Sequence, residues 1–391
     1  MNAASKGLTA QHAHLDEVYS LLPFTPVRGR GVYLEDAAGR RILDLYGGHA
    51  VAALGYGHPE LTAAIARQTQ ELLFQTNALP LAIRDAAADK LAAFAPEGLG
   101  RVFFVNSGAE ANENALRLAL RATGRKKIVA MEQGFHGRTA AAAAVTWGAA
   151  QSWYGFPRLP MDVTFVPRND VAALEAAVDA DTAAVIIEPV QGLAGAFDFA
   201  PEFLHAARRV CDRQGSFLIL DEVQTGMGRL GAPFGAQLYR VRPDLLTVAK
   251  GLGGGFPCGA LLMSREIAAD LRPGTLGTTF GGGPVACAAM ACVIDVLRRD
   301  DLCANVREVA EEISATCVVG PVMGTQGQGF LLGLRTQPKA AAVRDALLAR
   351  DILTGTSADP HVLRLLPALI LEKTHVRRLA EALEGLTDAA L

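Results

Sequence analysis

Several features that would mark a secreted, membrane, metal-binding or nucleic-acid-binding chain are missing. The opening stretch MNAASKGLTAQHAHLDEVYS has no apolar core of the kind a signal peptide needs. No window approaches the roughly 18 continuous apolar residues of a membrane span, and the alanine-rich run at 140–145 is far too short. The six cysteines (Cys211, Cys258, Cys287, Cys292, Cys303 and Cys317) show no CxxC or other metal-ligand spacing and read as reduced, mostly buried thiols. With 37 Lys+Arg against 40 Asp+Glu, the net charge of −3 gives no electrostatic case for nucleic acid or an anionic membrane. A Walker lysine motif and a full GxGxxG fingerprint are also absent. The expectation is a soluble cytoplasmic protein without a metal site.

What is present is a chain of 391 residues, 50% hydrophobic and 20% charged, long enough for two domains with sizeable cores. Short apolar runs, RVFFV (101–105), KIVAM (127–131), VTFV (163–166), AVIIE (184–188), FLILD (217–221) and LLTVA (245–249), read as buried strands. Helical patterns such as 109–122 and 201–214 lie between them. The alternation predicts an α/β fold, a mostly parallel sheet covered by helices on both faces, with a smaller α+β domain beside it. Residues 51–283 are assigned to the large domain. Both chain ends, 1–50 and 284–391, are assigned to the small one, including a hairpin of VYLED and RILDL turning through Ala38-Gly39.

In such sheets ligands collect beyond the carboxyl ends of the strands, so the residues there carry the functional argument. After VFFV come Asn106, Ser107, Gly108 and Ala109 at the start of a helix. Small residues at a helix N-terminus form a phosphate cradle, although Ser107 would equally serve as a plain cap. Asp221 closes an apolar strand, where a carboxylate requires a partner. A protonated ring nitrogen would serve, and so would capping of the next turn. Lys250 ends the next apolar run, just before GLGGGFP; in a dry pocket its amine becomes a nucleophile toward an aldehyde. Cradle, aspartate and lysine on one sheet edge together match pyridoxal 5'-phosphate. In GFHGRT, Phe135 offers a ring to stack on the pyridine, or core packing; Arg138 offers a planar fork for a carboxylate. Arg364, between apolar residues in HVLRLLP, is a second fork, or half of a structural ion pair.

At these motifs the chain resembles the class III (subgroup II) aminotransferases of fold-type I, the acetylornithine and ornithine aminotransferase group in particular. NSGAEANE, GFHGRT, EPVQG, LDEVQTGMGR, AKGLGGGFP and TTFGGGPVACAA match the family's motifs in order. The resemblance implies Lys250 as the Schiff-base lysine, Asp221 as the pyridinium partner and Ser107-Gly108-Ala109 as the phosphate loop. Val223 would face Phe135 across the ring, and Gln224 would reach the ring hydroxyl. Thr279 would be lent to the phosphate site of a neighbouring subunit, which makes a homodimer the expected unit. Arg138 would grip the substrate's distant carboxylate, and Arg364 the α-carboxylate of glutamate or 2-oxoglutarate. Glu188 matches the EP motif and is grouped with the substrate-facing residues.

The chain departs from the family pattern at three places. Leu193, in EPVQGLAG, stands where relatives carry a second glutamate that pairs with the arginine at the Arg364 position; leucine cannot make that pair. His49 replaces a commonly apolar residue, either touching substrate or filling the site, and Gly283 replaces the asparagine of GGNP. The resemblance implies transfer of the terminal amino group of N-acetylornithine, or a close N-acyl relative, to 2-oxoglutarate. The products are the semialdehyde and glutamate, as in arginine biosynthesis. Ornithine, succinylornithine and 4-aminobutyrate are alternative donors. An aminomutase, epimerase or decarboxylase on the same lysine is a different reaction class, and a non-catalytic cofactor-binding regulator a third reading.

Overall fold

The computed structural model describes residues 14, 16 and 18–386. Its centre is a seven-stranded sheet whose spatial order is Arg101–Val105, Gly259–Met263, Leu245–Val248, Phe217–Asp221, Thr182–Ile187, Lys127–Met131 and Asp162–Val166. All strands run parallel except Gly259–Met263, which is antiparallel to both neighbours. The strand Thr182–Ile187 is buried at every position, as a central strand covered on both faces must be. All six apolar runs read from the sequence form strands. The seventh strand, GALLM, was not among them, although it too is entirely buried.

The helices between strands end where local chemistry dictates. The helix Gly108–Thr123 is capped by Ser107, whose Oγ accepts the Glu110 N–H at 3.2 Å, and it stops at Gly124 in the left-handed region (φ 68°). Pro201 opens Pro201–Gln214 with its fixed φ, and Gly215 (φ 64°) closes it.

The expected hairpin is present: Tyr33–Asp36 pairs antiparallel with Arg41–Asp44, with Pro26–Arg30 on its other side. Ile352–Leu353 adds to this sheet in parallel beside Leu43 and Asp44, bringing the two ends of the chain together. A third sheet holds Val322–Gln328, Leu331–Thr336, Val362–Leu365 and Gly355–Thr356. The helix Pro284–Arg299, in which Ala286, Cys287 and Ala289 are buried, packs against Pro59–Glu71, Ala82–Phe94 and the turn Lys250–Gly253. Among the described residues no helix is long and apolar enough to cross a membrane. No group of three or more His, Cys, Asp or Glu among them is arranged to hold a metal ion.

Candidate active site

The carboxyl ends of the parallel strands open into a cavity of about 670 Å³. Loops after five strands line it, supplying Asn106 to Ala109, Phe135 to Arg138, Glu188 and Leu193, Asp221 with Val223 and Gln224, and Ala249 with Lys250. The antiparallel strand begins at the same edge, which is why Pro257 and Cys258 join the lining. His49, Val51 and Arg364 come from outside the large sheet and its loops. Of the candidate cofactor and substrate residues named from the sequence, Thr279 alone lies elsewhere, exposed in a smaller adjoining cavity with Asn106, Glu110 and Phe280.

Lys250 sits three positions beyond Thr247, which pairs with Asp221 across adjacent parallel strands. Its backbone takes the left-handed conformation (φ 43°), unusual for a side chain of this size and enforced by the tight turn Lys250–Gly253 that follows the strand. Burial pushes its pKa down. The carboxylates of Asp221 and Glu188 oppose that shift, and the charges of Arg364 and Arg229 add to it. The net effect favours the neutral, nucleophilic amine.

Asp221 is only 3% exposed, and its two oxygens do different work. Oδ1 accepts the Val223 N–H at 3.0 Å, the capping role open from the sequence. Oδ2 is 2.7 Å from His136 Nδ1 and accepts from Asn112 Nδ2 at 2.7 Å. Asn112 is held in turn by Thr247 Oγ1, which donates to its Oδ1 at 2.7 Å. Burial disfavours the His136 imidazolium, but the hydrogen bond and charge of Asp221 outweigh it and raise the His136 pKa. Glu222, next in sequence, is fully buried and plays no part in the cavity; it accepts the Gly235 and Ala236 N–H groups at 2.6 and 2.7 Å and fixes the following loop.

At the helix Gly108–Thr123 the serine cap and the anion site coexist. Ser107 satisfies Glu110, while the first-turn N–H groups of Gly108 and Ala109 have no intrahelical acceptor and line the cavity. Gly108 is required by packing: a Cβ there would lie 2.7 Å from the Val223 side chain. Phe135 donates its backbone N–H to Glu188 Oε1 at 2.9 Å. Burial raises the Glu188 pKa, against the attraction of His136. Gln224 packs its amide against Gly192, where a Cβ would meet Oε1 at 1.6 Å, and Nε2 approaches the His49 carbonyl at 3.5 Å.

Arg364 corrects one alternative. It is 3% exposed and forms no ion pair among the described residues. Its guanidinium donates to the Thr356 carbonyl (2.7 Å), the Gly192 carbonyl (3.1 Å) and Tyr46 Oη (2.8 Å). A structural ion pair is therefore excluded within this set, and the buried charge faces the cavity with neutral partners only. Leu193, adjacent to Gly192, is 42% exposed on the cavity wall.

His49 projects from a turn held by Asp44, whose Oδ1 accepts the Tyr46 and Gly47 N–H groups at 2.7 and 2.9 Å. Its Nδ1 is 2.9 Å from Tyr46 Oη, and burial with the nearby charges of Arg364 and Lys250 lowers its pKa. Gly47 (φ 55°) lets this turn approach the Leu366 carbonyl, where a Cβ would sit 2.7 Å away, and so brings His49 beside Arg364. Arg138 is exposed at the rim and stacks over Trp153, 4.4 Å from the ring centroid.

Sequence reasoning gave no role to His136, Asn112, Tyr46, Trp153 or Arg229. His136 lies inside the quoted GFHGRT and Arg229 ends TGMGR, but nothing in spacing indicates their partners. Arg229 is 2% exposed and donates to the carbonyls of Phe330, Pro367 and Ala50, tying together three distant segments beneath Lys250.

The residues present fit pyridoxal phosphate: a helix N-terminus with free amides, a buried carboxylate backed by a histidine, and a lysine with a depressed pKa face one cavity. Fold and site together define a fold-type I pyridoxal-phosphate enzyme. The family profile described as Aminotransferase class-III matches residues 16–387. The acetylornithine aminotransferase of Streptomyces coelicolor is 44% identical over 369 residues, covering 93% of this chain and 91% of the relative. Acetylornithine aminotransferase 1 of Bordetella bronchiseptica is 39% identical over 370 residues, covering 91% and 93%. A solved ornithine aminotransferase from Toxoplasma gondii, with PLP at partial occupancy in its active site, superposes with a TM-score of 0.91 at 25% identity over 99% of this chain and 95% of that one. The chain belongs to the class III aminotransferases, and its cofactor is pyridoxal 5'-phosphate.

Proposed function

We propose that this enzyme transfers the terminal amino group of N-acetylornithine to 2-oxoglutarate, the acetylornithine step of arginine biosynthesis. The observation that carries the reading is the pair of guanidinium groups without acidic partners on one cavity, Arg138 at the rim and Arg364 in the wall. A donor with a carboxylate several carbons from its reacting amine suits the first, and the α-carboxylate of 2-oxoglutarate suits the second. The curated relatives at 39–44% identity carry the acetylornithine name.

When bound, pyridoxal phosphate supplies an electron sink for charge developing at the carbon that bears the donor amine. In this reading Ser107, Gly108 and Ala109 hold the phosphate, and Thr279 of a neighbouring subunit completes that site. Phe135 and Val223 would flank the ring, and Gln224 would serve its hydroxyl. Asp221 keeps the ring nitrogen protonated, supported by His136. Lys250 would anchor the cofactor, and its neutral Nζ would serve as the base that moves the donor's proton. Glu188 and His49 shape the substrate side, His49 by packing against Tyr46. The working unit is a cytoplasmic homodimer. Residues 51–283 form the cofactor domain, and the two chain ends form the smaller one.

A substrate panel tests this. With 2-oxoglutarate as acceptor, acetylornithine should give the highest kcat/KM among acetylornithine, succinylornithine, ornithine and 4-aminobutyrate. Turnover of acetylornithine no better than the others would overturn the assignment.

A further inference from the structure

We propose that Trp153 is a positioning residue for the amino donor, holding Arg138 as a prestacked carboxylate clamp at the cavity mouth. The inference rests on the reading of Arg138 as the donor's carboxylate site and adds to it a residue outside every motif that carried the family resemblance.

The backbone on both sides of this contact is fixed. Gly137 adopts φ 138°, and a Cβ there would lie 2.8 Å from Ala109 Cβ, so the chain turns tightly just before Arg138. Directly after it, Glu113 accepts from Thr139 Oγ1 (2.9 Å) and from the Ala141 and Ala142 N–H groups (3.0 and 2.8 Å). On the other side, the Trp153 N–H donates to the Ala149 carbonyl at 3.0 Å. Its neighbour Tyr154 is buried, with its hydroxyl donating to the Ala140 carbonyl at 3.0 Å. Two anchored segments therefore present one guanidinium and one indole to each other, 4.4 Å from guanidinium carbon to ring centroid.

Arg138 makes no hydrogen bond or ion pair among the described residues; its guanidinium stacks on the indole face. The chemistry of that choice matters. A cation–π contact engages the flat face of the guanidinium and leaves the N–H donors along its edge free for a bidentate carboxylate. An acidic partner would occupy the same edge and have to be displaced by each substrate. Stacking instead restricts the long side chain beforehand, so less rotamer freedom is lost on binding. Trp153 is 37% exposed, so the contact sits in a partly hydrated setting and its strength belongs at the lower end for such pairs.

The test is kinetic. Trp153→Ala should raise the KM for acetylornithine about two- to fivefold, the effect of losing an exposed cation–π contact. The kcat should stay unchanged; the KM for 2-oxoglutarate, whose α-carboxylate is assigned to Arg364 while its distal carboxylate can reach Arg138, should rise by no more than that for acetylornithine. Trp153→Phe, which keeps an aromatic face, should recover most of the loss. In an Arg138→Ala background the Trp153→Ala change should have no further effect. The proposal is overturned if the acetylornithine KM does not move, if the loss falls on kcat instead, or if the effect persists without Arg138. Should Arg138→Ala raise the donor KM while Trp153→Ala does not, the clamp stands and the indole platform falls. If Arg138→Ala leaves the donor KM unmoved, the underlying reading of Arg138 fails and takes the platform with it.

Discussion

Replacing Leu193 by glutamate would place a carboxylate on the wall of the cavity, one residue from the carbonyl that accepts from Arg364 at 3.1 Å. Arg364 is 3% exposed with only two carbonyls and a phenol as partners, so it is the natural target for the new charge. Two unit charges about 4 Å apart attract by roughly 4 kcal/mol at an effective dielectric constant near 20. Position 193 is 42% exposed, so solvent screening and ordering of the new side chain remove most of that. A net pairing of about 1–2 kcal/mol is expected, between an exposed ion pair and a charge-assisted hydrogen bond. A 2-oxoglutarate carboxylate would have to displace it, which raises the KM for that substrate about 5- to 30-fold. The half-reaction of the aminated enzyme with 2-oxoglutarate, followed by cofactor absorbance, reads this directly. Leu193→Gln, of equal length without charge, should change the KM little. An unchanged KM in the glutamate variant, or an equal rise in the glutamine variant, would refute the electrostatic reasoning.

Two further outcomes follow from the same geometry. Lys250→Ala should abolish turnover and the pyridoxyl label that borohydride reduction and peptide mapping otherwise find on residue 250; a retained label would place the covalent anchor elsewhere. Asp221→Asn removes the charge that faces His136 at 2.7 Å, and should lower kcat about a hundred- to thousandfold, as loss of a preorganised electrostatic group does. The His136 pKa, raised in the wild-type protein, should fall in this variant because burial then acts unopposed. In the wild type, the raised pKa makes His136 contribute stability below its unfolded pKa, a contribution lost as pH rises through the folded value. The variant should lack that slope, and a His136 resonance titrating unchanged would contradict the pairing.

Much of the architecture was legible because it is local. Apolar runs such as AVIIE and FLILD announce buried strands by composition alone, and Gly124 and Gly215 mark helix ends by the conformation only glycine adopts freely. The strand-end placement of Asp221 and Lys250 needed no more than the order of the chain. GALLM carries the same apolar signal as its neighbours, and its strand was there to be read; nothing in it records that it runs the opposite way.

What folding alone decided is the identity of partners far apart in sequence. His136 and Asn112 meet Asp221 across 85 and 109 residues, and Tyr46 meets Arg364 across 318. Whether Arg364 is half of an ion pair or a buried cation with neutral partners depends on which backbone carbonyls the closed sheets present to it. Trp153 likewise looks like an ordinary loop aromatic until the loop's anchoring sets it under Arg138. Periodicity and spacing encode the face a residue shows its own element. The charge, hydrogen-bond acceptors and depth it then encounters are properties of the packed interior, where segments without local correlation are brought to within 3 Å.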